Sequence, residues 1–216
     1  MSLDLFFHPF ASFCQKALIA FYENDTPYEP HIVDLGDEGQ RAAFLALWPI
    51  GKFPVVRDGR LGLTLPESTI IIEHLDLHYG GATRFVPADG DAALQVRLGD
   101  RFYDHYVQEP MQKIVGDRNR PPGAKDPHGV TQARAILQTA YGLIEHRMAA
   151  RTWNMGESFT LADCAAAPAL RYAAMVEPFE KTHPATAAYL RRLSDRPSFA
   201  RVLDEAAPYA HFFPKG

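Results

Sequence analysis

Cysteine is scarce in this chain. Two occur, Cys14 and Cys164, far apart and without metal-ligand spacing, so no metal is expected and a reducing, cytoplasmic setting fits. A basic excess is missing too: the net charge of -4 supplies no surplus of lysine and arginine to displace counterions from a phosphate backbone, which argues against nucleic acid as a partner. No run reaches the roughly 18 apolar residues of a membrane-spanning helix, and the start, MSLDLFFHPFASFC, carries no basic segment ahead of a long apolar stretch, so it does not read as a signal peptide. Internal repeats, a glycine-rich phosphate loop and the Ser-His-Asp order of a hydrolase are all lacking. What remains is an ordinary globular composition, 47% hydrophobic and 22% charged over 216 residues, enough for one large domain or two small ones.

The most informative stretch is 51–74, GKFPVVRDGRLGLTLPESTIIIEH. It predicts a strand over 53–57, a tight primed turn at Asp58-Gly59, a second strand over 61–65 and a helix from Pro66. Pro54 cannot donate to a ladder, so it belongs at a strand's first residue or an edge, and its peptide bond is a candidate for cis. Pro66-Glu67-Ser68-Thr69 opens the helix with free N–H groups, a hydroxyl and a carboxylate, an anion site with an amine-binding group beside it.

Upstream, 3–7 reads as a strand ended by His8-Pro9, 12–24 as a helix, 28–33 as a strand and 38–47 as a helix ending before Trp48-Pro49. Gly80-Gly81 and the polar 87–91 mark a linker, beyond which nothing reads as a strand. Long helices are expected over 92–115, 129–150 and 160–175, with shorter ones over 184–194 and 197–205 and a proline-rich connection at 119–127. Thr160 and Asp163 form a capping box, with Phe159 and Cys164 spaced for a hydrophobic staple.

The proline-led hairpin, the Glu67-Ser68 helix start and, in order after them, the Phe159-Thr160-Leu161-Ala162-Asp163-Cys164 helix start resemble the cytosolic glutathione transferases, in the bacterial serine- or cysteine-type form. The resemblance spans nearly the whole chain. It implies the transferase fold: an α/β thioredoxin-like glutathione-binding domain over 1–80, a linker over 81–90 and an all-α domain over 91–216. It also implies glutathione as co-substrate and a homodimer. By resemblance, the backbone of Phe53 before Pro54 pairs with the cysteinyl part of glutathione, and Glu67 and Ser68 hold the γ-glutamyl amine and carboxylate. Lys52, Arg41 and Gln40 are candidates for the remaining contacts, though each is also an ordinary surface residue.

A glutathione thiol, with a pKa near 8.5 when free, needs help to ionise at neutral pH. Aligned with the serine-type transferases, this chain has Ala11 where the catalytic serine stands, Ser12 one residue later, and Cys14 at the second cysteine of a C-x-x-C. Three activators stand open: the Ser12 hydroxyl, Cys14, and the backbone N–H groups of Ser12 and Phe13. For the electrophile's wall the candidates are Phe10, Tyr103, Tyr106 and Phe212, with His105 read as structural or surface. The expected reaction adds the glutathione thiolate to a hydrophobic electrophile, as in detoxification. The alternatives are thiol-disulfide exchange through Cys14 and a non-catalytic protein that binds hydrophobic ligands on the same fold.

Overall fold

The computed structural model describes residues 3–214. Four strands, β1 (Leu3–Phe7), β2 (Glu29–Ile32), β3 (Val55–Asp58) and β4 (Leu63–Pro66), form one sheet in the order β2-β1-β3-β4, with β1 and β2 parallel and the other neighbours antiparallel. Parallel pairing of β1 and β2 requires a crossover, which α1 (Ser12–Glu23) supplies. In β1, alternation sends Leu3, Leu5 and Phe7 into the main core, while Phe6 packs with Val33, Phe44 and Val55 under α2 (Glu38–Leu47) on the other face. α1 is buried almost all round, from Ser12 to Phe21, because the sheet lies on one side and α3 (Ser68–His78) and the helical half on the others.

The helical half holds α4 (Gly90–Tyr103), a π-helical turn over Asp104–Gln108, α5 (Glu109–Arg118), α6 (Pro127–Met148), α7 (Leu161–Val176), α8 (Pro184–Asp195), α9 (Pro197–Ala206) and a closing 3₁₀ segment, Ala207–Phe212. This is the thioredoxin-like mixed sheet followed by an all-α unit that the sequence leads one to expect. Alanine-rich α7 is the central post, packed on α1 and α4 at once, so a single apolar core runs through both halves. The segment between α3 and α4 is pinned: Asp76 accepts the N–H groups of Phe85 and Val86, and Asn24 brackets Thr83.

Two local expectations are corrected. The 92–115 stretch is not one α-helix but two joined by the π turn. The capping box expected at the start of α7 is present, with Asp163 taking the Thr160 N–H at 2.9 Å and the two side chains joined at 3.0 Å. The two-residue turn at Asp58-Gly59 is a four-residue connection, since Asp58 pairs with Leu63, and the residue with positive φ is Gly62 at 68°.

The reason for the longer loop is Asp58 itself. Wholly buried, it accepts from the N–H groups of Arg60 (2.8 Å) and Leu61 (3.1 Å) and from His74 Nε2 (2.9 Å) and Tyr79 Oη (2.7 Å). Burial alone would raise its carboxyl, but the hydrogen bonds outweigh it and hold it at about 2. With the folded value below the unfolded one, the folded state binds fewer protons. Roughly 2 kcal/mol of stability is therefore present above about pH 4 and lost as the pH falls toward 2. In Asp58→Asn, urea titrations across that window should show a shallower loss of stability than in the parent; identical slopes would refute the assignment.

Candidate functional site

The N-terminus of α1 is the focus. Ala11 stands at the N-cap position and Ser12 is the first helical residue, so the Ser12 hydroxyl is not spent on capping, and no backbone acceptor takes the N–H of Ser12 or Phe13 among the described residues. The loop leading in is fixed from both sides. Gln15 Nε2 donates to Pro9 O (3.0 Å) and to Tyr172 Oη (3.1 Å), and Tyr172 donates to Phe10 O (2.8 Å). His8 Nδ1 accepts the Phe10 N–H at 3.2 Å, and burial lowers the imidazole's pKa, which favours the neutral ring that this bond requires.

Two cavities flank the ridge formed by Phe13, Lys52 and Phe53. One, of about 410 Å³, is polar and is lined by Pro54, Pro66, Glu67 and Ser68 from the sheet side and by Arg101, Asp104, His105, Glu109 and Gln112 from the helical side. The Phe53-Pro54 peptide at its floor is cis. Glu67, at the N-cap of α3, has a φ of 70°, in the left-handed region that a residue with a Cβ seldom occupies. A backbone held there costs on the order of 1 kcal/mol and typically marks a functional site. Beyond it the N–H groups of Ser68, Thr69 and Ile70 have no helical acceptor, and Ile71 N–H is the first to bond back, to Glu67 O at 2.9 Å.

The other cavity, of about 490 Å³, is mainly apolar: Phe10, Met111, Val115, Tyr172, Phe212, Phe213 and Pro214 form most of its wall, with Gln108, Gln112 and Asn119 as an amide edge along the α4–α5 side. Arg118 closes its rim by donating to Pro214 O at 3.0 Å with its guanidinium 5.8 Å from the Phe213 ring, which stacks on Tyr172. The two cavities meet at Phe13, Lys52, Phe53 and Gln112. A bound molecule could thus place a charged, hydrogen-bonding part in one and hand a reacting atom to the other, beside Ser12.

Beneath the polar cavity lies a buried charge cluster. Lys16, 1% exposed, reaches Asp104 at 2.8 and 2.9 Å and Thr69 Oγ1 at 2.9 Å, and lies 2.6 Å from Asp100 Oδ1 in a charge contact off the hydrogen-bond direction. Arg101 balances the second carboxylate, 2.8 Å from Asp100 and 2.6 Å from Asp104. Burial pushes the Asp104 carboxyl up, with Lys16 pulling the other way.

The structure brings Phe53, Pro54, Glu67, Ser68 and Lys52 to one cavity and Phe10, Ser12 and Phe212 to the adjoining one. Others it does not bring. Cys14 is fully buried, and burial pushes its thiol well up, so it faces neither cavity as a nucleophile. Tyr103 is also fully buried, bonded to Asn154, and Tyr106 is exposed on the opposite side of the helix, beside Ile136 and Leu143. Gln40 accepts the Asp34 N–H and Arg41 donates to Leu35 O, so both hold the β2–α2 turn and line neither cavity. His105 is a surface residue paired with Glu109 at 2.7 Å, at the polar cavity's rim. Sequence reading missed Arg101, Asp104 and Gln108. The available signal was the spacing of Asp100, Asp104 and Gln108, polar residues at i, i+4 and i+8 on a stretch that also carries the apolar Val96, Tyr103, Val107 and Met111.

Comparison with known proteins gives a consistent result. Residues 5–83 match the family model for the glutathione S-transferase N-terminal domain, and residues 127–192 match the one for the glutathione S-transferase C-terminal domain. Glutathione S-transferase F6 of Arabidopsis thaliana is 24% identical over 208 residues, spanning 93% of this chain and 99% of its own. Glutathione S-transferase GstB of Escherichia coli K12 is 24% identical over 192 residues, or 88% and 91% of the two chains. The crystal structure of a glutathione S-transferase from Methylobacillus flagellatus with GSH bound has a TM-score of 0.85 at 24% identity and covers 93% of this chain and 98% of its own.

Proposed function

The chain belongs to the glutathione S-transferase family, and from that premise we propose that it is an enzyme that binds glutathione in the polar cavity and conjugates its thiolate to an apolar electrophile in the adjoining one. The observation that carries this reading is the junction of the two cavities at the N-terminus of α1, where Ser12 and two unpaired N–H groups converge. Glu67 takes the γ-glutamyl amine. The carboxylate beside it is held by the Ser68 hydroxyl and the free N–H groups of α3, whose dipole favours an anion. The Phe53 backbone pairs with the cysteinyl unit and Lys52 with the glycine carboxylate. The sulfur then lies at α1, where the dipole and a hydroxyl donor stabilise the thiolate over the thiol.

Ala11 in place of the family's serine keeps a non-catalytic reading in play, and full burial of Cys14 weighs against disulfide exchange. Titration calorimetry separates the first question from chemistry. Ser68→Ala should weaken glutathione binding about tenfold, the loss expected for one hydrogen bond to a charged group. A parent chain that does not bind glutathione would overturn the proposal.

The family is expected to pair, and the surface supports a second copy of this chain as partner. The bidentate Arg97–Glu73 ion pair ties α3 to α4, so exposed Ile70, Leu77, Leu94 and Leu98 share one outer face. Two such faces related by a twofold axis would cover each other. Leu98→Glu should shift the sedimenting species to half its mass; a parent chain that sediments as a monomer at micromolar concentration would exclude the pairing.

A further inference from the structure

Gln108 is buried, with 2% of its surface exposed, at a position where an apolar side chain of the same length would fill the space without leaving a polar atom unsatisfied. Its Oε1 has no partner among the described residues, and its Nε2 has one: it donates to Ser12 Oγ at 2.5 Å. What the amide adds there is a neutral donor aimed at one hydroxyl.

The placement is part of a ladder between two helices. Asp100, Asp104 and Gln108, spaced by four, face Lys16 and Ser12, also spaced by four, with the carboxylates meeting the ammonium and the amide meeting the hydroxyl. In a straight α-helix each step of four drifts by about 40° around the axis. The wider π turn over Asp104–Gln108 takes up part of that drift and keeps Gln108 pointed at α1.

A hydroxyl has one proton and two acceptor lone pairs. By accepting from Gln108, Ser12 keeps its proton free, and no acceptor for that proton is present among the described residues, while Ser12 itself lines the apolar cavity. We propose that Gln108 is a positioning residue for the glutathione thiol: by donating to Ser12 Oγ, it turns the Ser12 proton into the cavity, toward the sulfur. This rests on the glutathione-conjugating reading above. A carboxylate at the same place would accept the Ser12 proton and turn it away. An apolar side chain would leave the hydroxyl free to rotate.

The test is the ultraviolet thiolate absorbance of bound glutathione against pH in the parent, Gln108→Met and Gln108→Glu, each also made in a Ser12→Ala background. Both single variants should raise the titration midpoint, Gln108→Glu the more, by about one pH unit, which from a parent midpoint about two units below the free thiol cuts the thiolate at pH 7 about threefold. The turnover deficit should close as the pH is raised, with KM for glutathione changing less than kcat. In the Ser12→Ala background the substitution at position 108 should do nothing further. A parent-like midpoint in both variants overturns the proposal while leaving the transferase reading intact, as does an equal shift with and without Ser12. A parent complex with no thiolate overturns both.

Discussion

Lys16→Ala is expected to cost on the order of 3–5 kcal/mol of folding stability, because it strips the counter-charge from carboxylates that cannot reach water. Asp100 is 0% exposed and Asp104 6%, and with Lys16 gone only Arg101 and Thr69 remain among the described residues to hold them. For a chain of this size that corresponds to a fall in melting temperature of about 10 °C. Two controls separate charge from packing. Lys16→Met keeps most of the side chain's volume, so a cavity explanation predicts recovery and the electrostatic one does not. The pH dependence separates them again. Burial already raises the Asp104 carboxyl against the pull of Lys16, and without that pull it rises further, so the folded variant binds more protons than its unfolded chain. The deficit relative to the parent should therefore shrink as the pH is lowered through the range where that carboxyl takes a proton. A loss below about 1 kcal/mol, or one that ignores pH, would mean that the cluster is not held by its charge balance.

The cluster also bears on activity through geometry. Lys16 lies one turn below Ser12 on α1, and Asp104 closes the polar cavity from beneath while touching Lys16. Removing the ammonium therefore perturbs the helix that presents the thiol site and one wall of the glutathione site together. These residues are close enough that their effects should not add.

Much of this was legible in the sequence, and the boundary has physical causes. Pro54 after Phe53, the Glu67-Ser68 helix start and the prolines that stop helices act through backbone chemistry within a few residues, and such features can be read locally. Asp58-Gly59 looked like a two-residue turn because the partners that lengthen the loop, His74 and Tyr79, lie 16 and 21 residues away. Lys16 and Gln108 look like surface residues on composition alone, and the packing of α1 and the π turn on α7 is what makes them buried. Tyr103 and Tyr106 stand among the wall candidates because an apolar electrophile needs an aromatic surface, and they lie on a stretch expected as one helix over 92–115. On this side the cavity is lined by Gln108, the last residue of the π turn, and by Met111, Gln112 and Val115 beyond it, and that turn has no signature in residue type. Aromatic residues so close to the right face are informative about the helix, not about which side lines a cavity.

Ser12→Ala should lower kcat/KM for conjugation about 100-fold at neutral pH, the usual consequence of losing one preorganised donor to a developing or full anion. The loss should fall on kcat, since a hydroxyl that favours thiolate over thiol contributes little to holding the rest of glutathione. It should not be complete, because the N–H groups of Ser12 and Phe13 and the α1 dipole remain at the same place. Spectroscopy gives the same answer independently of the electrophile. Bound glutathione should titrate about two units below the free thiol in the parent and move back toward it in the variant. Cys14→Ser is the matched control: its thiol is fully buried and burial raises its pKa, so conjugation and thiolate absorbance should stay within about twofold of the parent, provided the chain folds. If Ser12→Ala keeps parent-like thiolate, the backbone N–H groups suffice and the hydroxyl is a bystander. If Cys14→Ser abolishes activity in a chain with an unchanged melting temperature, the thiol must become accessible by a rearrangement of α1, and the assignment of the nucleophile to glutathione alone would have to be given up.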